Sequence, residues 1–245
     1  MIKALIARFR QGYRTMEFPS ADIKLPARYL GLPKLKSLKL EAAAAACAYG
    51  AISAGANPAL DLGRCVFCGA CAQAAPEAVE FTQDYRLCAS ARQNLMITES
   101  DFKRAETLGA DLRRIFGRSF RLRQVSAGGC AACEADCNVL QTIGWDLGRF
   151  GVQFVASPRH ADGILVTGPV TRNMELALRK TYFAVSSPKV VIACGACAIS
   201  GGPYAGHEEC VGIPEDIPVD LYIPGCPPHP LTILDAILRL IGRIP

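Results

Sequence analysis

The run Cys65-Val-Phe-Cys68-Gly-Ala-Cys71 constrains this chain more than any other feature. Three thiolates at C-x2-C-x2-C spacing on one tight loop can hold three corners of an iron–sulfur cubane. The chain carries 12 cysteines in all. No continuous apolar leader precedes them, because Met1–Ser20 interleaves basic and apolar residues. No stretch approaches the roughly 20 apolar residues that a bilayer-spanning helix needs. Thiols in such a chain bind metal more often than they pair as disulfides. Zinc on the same cysteines is the competing reading, but the triple spacing is unusual for paired zinc knuckles.

The losses around this loop are informative. In bacterial two-cluster ferredoxins the run is C-x2-C-x2-C-x3-C-P, and the fourth cysteine serves the other cluster. Here Ala75 stands in the fourth place, before Pro76. Upstream, Cys47 resembles the fourth cysteine of a first such run, whose first three places fall on Ser37, Leu40 and Ala43. One cluster would have used positions 37, 40, 43 and 75, and none is cysteine. The other would use Cys47, Cys65, Cys68 and Cys71, and all are present. Loss of one whole site beside one complete site predicts a single 4Fe-4S cluster here.

Beyond residue 120 the pattern changes to α/β. Short apolar runs at Val152–Ala156, Gly163–Thr167, Lys189–Ala193 and Val219–Ile223 alternate with helical segments at Glu134–Phe150, Arg172–Val185 and Leu231–Ile241. Gln124-Val-Ser126 is a further candidate to open the sheet. Such alternation predicts a parallel sheet with helices on both faces, whose ligands sit beyond the carboxyl ends of the strands. Gly129-Cys130-Ala-Ala-Cys133, Gly195-Ala-Cys197 and Gly225-Cys226-Pro227 lie at such ends or in glycine-rich loops beside them. Four cysteines from three loops make a second cubane site. Cys194 rivals Cys197, since both flank Gly195-Ala196. Cys88, Cys137, Cys194 and Cys210 otherwise read as small buried hydrophobes. A charged stretch, with Thr98-Glu-Ser-Asp as its cap, predicts a connecting helix over Phe102–Phe116.

Charge is concentrated at the start. Residues 1–40 hold nine Lys and Arg against Glu17 and Asp22, a net +7, where the whole chain is +5. Ile2, Leu5, Ile6, Phe9 and Tyr13 have helical apolar spacing among basic residues. Such a segment lies on an anionic membrane, docks on a partner, or is an ordinary solvated arm. No nucleic-acid-binding motif accompanies the charge. There is no G-x-G-x-x-G or P-loop, and no Ser/His/Asp or Cys/His catalytic pattern. His160, His207 and His229 all fall in predicted loops.

These strings carry a family resemblance. Gly129-Cys130-Ala-Ala-Cys133-Glu134, Ser157-Pro-Arg-His-Ala-Asp162, Thr167-Gly-Pro-Val-Thr171, Gly195-Ala-Cys197-Ala-Ile-Ser-Gly-Gly202 and Pro218–Pro228 span much of the segment from about Arg118 to Gly242. That segment resembles the complex I 20 kDa subunit and the small subunit of energy-converting NiFe hydrogenases. The resemblance implies a flavodoxin-like α/β parallel-sheet domain over residues 120–245. It also implies one 4Fe-4S cluster on Cys130, Cys133, Cys197 and Cys226, adjacent to a partner's catalytic or quinone site. For Glu134 it raises a role in proton movement, beside the plainer reading of a helix-N-terminal carboxylate.

Residues 1–95, through Asp61-Leu-Gly-Arg-Cys65-Val-Phe-Cys68-Gly and Phe81-Thr-Gln-Asp-Tyr85, resemble the two-cluster ferredoxin subunit of the same complexes. This implies a small α+β ferredoxin-like domain whose basic arm lies along the membrane. A connecting helix within residues 96–119 would then join two subunits that are normally separate. The implied function is electron relay through two 4Fe-4S clusters in a membrane-associated complex. The implied partners are a large NiFe hydrogenase-like or complex I 49 kDa-like subunit, membrane-arm subunits and other redox subunits. The implied location is peripheral, on the cytoplasmic face of the inner membrane. Cys130-x-x-Cys133, rather than adjacent cysteines, favours a group 4 energy-converting hydrogenase over an NADH-quinone oxidoreductase. A zinc-stabilised interaction module is the alternative from another class.

Overall fold

The computed structural model describes residues 2–21, 23–98 and 102–244. The first region contributes, in order, α1 (Ile2–Gln11), β1 (Pro33–Leu35), α2 (Glu41–Ala45), β2 (Ile52–Ser53), β3 (Ala59–Asp61), α3 (Ala70–Ala74), β4 (Val79–Phe81) and β5 (Met96–Ile97). The remainder contributes α4 (Ala110–Phe116), β6 (Phe120–Ser126), α5 (Ala132–Val139), β7 (Val152–Phe154), β8 (Gly163–Thr167), α6 (Arg172–Ala184), β9 (Val190–Cys194), α7 (Ala196–Ser200), β10 (Leu221–Ile223) and α8 (Pro230–Leu240).

Strands β8 and β9 are buried at every residue, as their unbroken apolar runs require of strands covered on both faces. They form the centre of a five-stranded sheet ordered β7-β6-β8-β9-β10, with every pairing parallel. Counted from β6, this is the flavodoxin-like 2-1-3-4-5 order. Side chains alternate between faces. Leu122, Leu165, Ile192 and Ile223 join Leu140 of the α5 segment and Leu234 and Ile237 of α8 in one cluster. Val125, Ile164, Val166 and Val191 join Leu178 of α6 in another. Phe18, Cys88 and Ala105 from earlier in the chain belong to the first cluster. They help enclose α8, of which only Arg239 escapes burial.

The register places the functional edge. Ser126 pairs with Thr167, Thr167 with Cys194, and Cys194 with Ile223, so four strands end in one row. Each row position is followed within two residues by glycine.

The first region is a small α+β unit. β1 and β4 pair antiparallel, and β2, β3 and β5 form a three-stranded antiparallel sheet. One apolar cluster, including Leu40, Ala43, Leu60, Ala75, Val79 and Leu95, lies beneath them.

Two helices fall short of their sequence patterns by a turn or more. The predicted helix over Phe102–Phe116 forms only as α4. The Ala105 N–H instead donates to Cys88 O at 2.8 Å, and the Leu108 N–H to Leu240 O at 2.9 Å. Tertiary acceptors thus take donors that a helix would use internally. Its proposed cap residues Glu99, Ser100 and Asp101 lie outside the described residues. The segment Glu134–Phe150 likewise stops being α-helical at Val139 and ends in a 3-10 turn at Leu147–Phe150. Gly144 and Gly148 interrupt it, and Asp146 takes a left-handed φ of 48°.

Candidate metal centres

Cys47, Cys65, Cys68 and Cys71 line one pocket, walled by Ile52, Leu60 and Phe81. Cys47 follows α2, and Cys71 lies within α3. Between Cys65 and Cys68, Phe67 holds a left-handed φ of 56°, a conformation that a bulky residue adopts only under constraint. Backbone amides point at the sulfurs: the Ala51 N–H donates to Cys47 Sγ and the Phe67 N–H to Cys65 Sγ, both at 3.3 Å. Burial pushes the Cys65 thiol up to about 12 and also raises Cys71. A pocket of this kind disfavours bare thiolates at Cys65 and Cys71 and suits them to a metal group that offsets their charge.

The four positions that lack cysteine behave differently. Leu40, Ala43 and Ala75 are each 0% exposed and share the apolar cluster. Ser37 is half-buried, and its hydroxyl accepts the Lys39 N–H at 3.1 Å. Packed apolar side chains occupy three of these places and a hydroxyl the fourth, so none offers a thiol.

The second set lies beyond the row of strand ends. Cys130 follows β6, Cys133 sits in the first turn of α5, Cys197 lies in α7 after β9, and Cys226 follows β10. Their sulfurs are near enough to act on one another. Burial first, then Cys226 and Cys130, push Cys197 up to about 11. Cys133 is raised by burial, by Glu134, and by Cys197 and Cys226 among its thiol neighbours. Gly195 is required by this crowding, since a Cβ there would stand 2.6 Å from Cys133 Sγ, at a φ of +92°. Four thiols converging beside a glycine loop, with Cys130 and Cys226 exposed, fit a cubane, as does the first set in its apolar pocket.

Cys194 is fully buried beside the equally buried Cys137, and both belong to the apolar core. Cys88 is buried in the same core, and Cys210 is half-buried near Cys197. Among the described residues, no group of three or more His, Cys, Asp or Glu side chains is arranged to hold a single metal ion. His229 caps α8, its Nδ1 accepting the Leu231 N–H at 3.1 Å, while His160 and His207 are exposed.

Glu134 is anchored at the same edge. Burial alone would raise its carboxyl, but hydrogen bonds from Ser126 and Thr167 outweigh burial and hold it below the usual range. Both hydroxyls donate to Oε1 at 2.6 Å. Sequence reasoning missed these two partners. Their only local signal is a hydroxyl at the last position of each strand.

The sheet and its edge define a doubly wound α/β protein that gathers thiols where such folds bind ligands. Residues 130–240 match the family model described as NADH ubiquinone oxidoreductase, 20 kDa subunit. The chain is 39% identical over 151 residues to the probable membrane-bound hydrogenase subunit mbhJ of Pyrococcus furiosus, covering 61% of this chain and 90% of that one. It is 43% identical over 116 residues to an NADH-quinone oxidoreductase subunit of Citrifermentans bemidjiense, covering 47% and 68%. A solved chain of the membrane-bound sulfane sulfur reductase, an archaeal respiratory membrane complex, matches with a TM-score of 0.47 and 33% identity, over 54% of this chain and 73% of that one. The chain belongs to the NADH ubiquinone oxidoreductase 20 kDa subunit family, and it is an oxidoreductase subunit of a respiratory-type complex.

Proposed function

We propose that this chain relays electrons through two 4Fe-4S clusters to or from a large catalytic subunit of a membrane-associated complex. Cys47, Cys65, Cys68 and Cys71 would hold one cluster, and Cys130, Cys133, Cys197 and Cys226 the other. When bound, the clusters supply reversible one-electron chemistry. The chain's own residues supply thiolate donors, amide N–H groups aimed at sulfur, and apolar walls that limit water. The observation that carries this reading is the presence of two separate four-cysteine sets, one in an apolar pocket and one beyond the ligand edge of the sheet.

A group 4 energy-converting NiFe hydrogenase or a relative of it is the favoured setting. The Cys130-x-x-Cys133 spacing and the 90% coverage of the mbhJ relative support it. A complex I-like setting is the second reading, supported by the 43% identity to the NADH-quinone oxidoreductase relative. In either, residues 1–95 act as a ferredoxin-like domain joined through residues 96–119 to the domain at 120–245. The partners are a large subunit, which holds nickel–iron or binds quinone, together with membrane-arm and other redox subunits. The location is peripheral, at the cytoplasmic face of the inner membrane. Among the described residues no helix is long and apolar enough to cross a membrane, and α1 presents Ile2, Leu5 and Phe9 to solvent among basic residues.

Anaerobic iron and acid-labile sulfide analysis tests the reading. About eight of each per chain is expected for two cubanes. Stoichiometric zinc without broad visible absorbance would favour the interaction module instead.

A further inference from the structure

A hydrogen bond joins the segments that carry the two thiol sets. The hydroxyl of Ser200, the last residue of α7, donates to the Gly63 carbonyl at 2.8 Å, with the Ala196 carbonyl at 3.1 Å as a second acceptor. Gly63 lies two residues before Cys65, and Ala196 immediately precedes Cys197. A path from Cys65 to Cys197 therefore runs back along the Arg64–Gly63 backbone, across one hydroxyl, and into the Ala196–Cys197 peptide. The Ala196 N–H also donates to Gly225 O at 2.8 Å, which ties this path to the loop of Cys226.

The approach of the two segments is built rather than incidental. The Asp61 carboxylate accepts the Gly63 N–H at 2.8 Å and the Arg92 guanidinium at 2.8 and 2.6 Å, fixing the turn before Cys65. A Cβ on Gly63 would stand 2.8 Å from both Arg92 Cζ and Ile199 Cγ2. Only glycine lets α7 come this close. On another side, Val66 and Phe67 face Pro224 and Cys226 across an open cleft of about 490 Å³. Electron tunnelling decays less steeply along covalent and hydrogen bonds than across solvent-filled space, so the bonded path competes well against the cleft.

We propose that the Gly63–Ser200 hydrogen bond is the electronic bridge between the two centres, with Ser200 as a positioning residue for electron transfer. The proposal rests on the two-cluster reading. One electron leaves the reduced centre and enters the oxidised one, and no covalent bond forms or breaks.

The test uses the full chain, reconstituted anaerobically, as wild type, Ser200→Ala, Ser200→Thr and Gly63→Ala. Iron content is measured first. Freeze-quench EPR after substoichiometric flash photoreduction then follows the electron between the two cluster signals, and the spin–spin interaction of the fully reduced protein reports their spacing. Ser200→Ala is expected to slow transfer several-fold with iron and spin–spin interaction unchanged, and Ser200→Thr to restore it. Gly63→Ala, which forces the turn away from α7, is expected to slow it too. An unchanged rate in Ser200→Ala overturns the bridge, as does a slowing in that variant matched by a weakened spin–spin interaction. Wild-type iron of about four per chain overturns instead the two-cluster reading beneath it, and is read before any variant is compared.

Discussion

The Glu134 carboxylate lies 2.6 Å from the Thr167 hydroxyl, so the first turn of α5 is tied to the end of β8 across the gap that the cysteine loops surround. Ser126, the row partner of Thr167, donates to the same oxygen at 2.6 Å. Thr167 is 0% exposed, and the weaker alternative for its hydroxyl is Val125 O at 3.3 Å. Glu134→Ala is therefore expected to lower stability by about 2 kcal/mol, the scale of hydrogen bonds to an ionised acceptor. Glu134→Gln keeps an acceptor oxygen and should lose less. Urea unfolding of both variants checks this, and equal losses would show that the charge rather than the contact matters.

Gly195 separates β9 from α7 and leaves no room beside Cys133. Gly195→Ala would bring a Cβ to 2.6 Å from the Cys133 sulfur. The expected outcome is selective loss of the second centre, with iron falling from about eight to about four per chain and the first centre's spectrum retained. Full iron content in this variant would remove Cys133 from the ligand set.

Asp84 offers a pH-dependent contribution. Burial by itself would raise its carboxyl, but the Arg86 guanidinium and N–H, with the charge of Arg104, outweigh burial and hold it below the ordinary aspartate range. The ion-pair distances are 2.7 Å to Arg86 and 2.8 Å to Arg104. Because the folded value is the lower one, the stabilisation is present above the unfolded value, about 3.9, and is lost as pH falls through the folded value. Asp84→Asn should be less stable at neutral pH and should lose less on acidification. Urea midpoints taken down the acid limb decide it, and parallel curves would rule it out.

Helix α1 presents Phe9 at 89% exposure, beside Arg8 and Arg10. Burial of such a face in an anionic bilayer combines apolar transfer with charge attraction. Co-sedimentation with vesicles containing anionic lipid is expected, weakened by salt and abolished by Phe9→Glu with Leu5→Glu. Equal binding of the double variant would point to the basic residues alone.

Several elements were legible from local pattern. Gly163–Thr167 forms the strand its apolar run predicts, and α6 ends one residue short of its predicted span. Both lie where period and burial agree. The segment 102–109 was not legible, because its helical composition lost to acceptors on Cys88 and Leu240 that are distant in the chain. At the site, cysteine spacing singled out candidate ligands, whereas Ser126 and Thr167 carried almost no signal. Their partnership with Glu134 depends on sheet register, which no local window contains.

By itself, then, the sequence determined two short cysteine runs, at 65–71 and 130–133, and an alternation of buried strands with helices, since ligand spacing and apolar periodicity are properties of short stretches. Only the tertiary structure decided which thiols face the sheet edge and which face the core. Cys194 turns inward to Cys137 while Cys197, three residues on, stands near Cys226 and Cys130. It alone also decided that Gly63 and Ser200 meet, 137 residues apart in the chain. That contact exists because Arg92 and Ile199 fill the space where any side chain on Gly63 would stand, and packing of this kind is set by the whole fold.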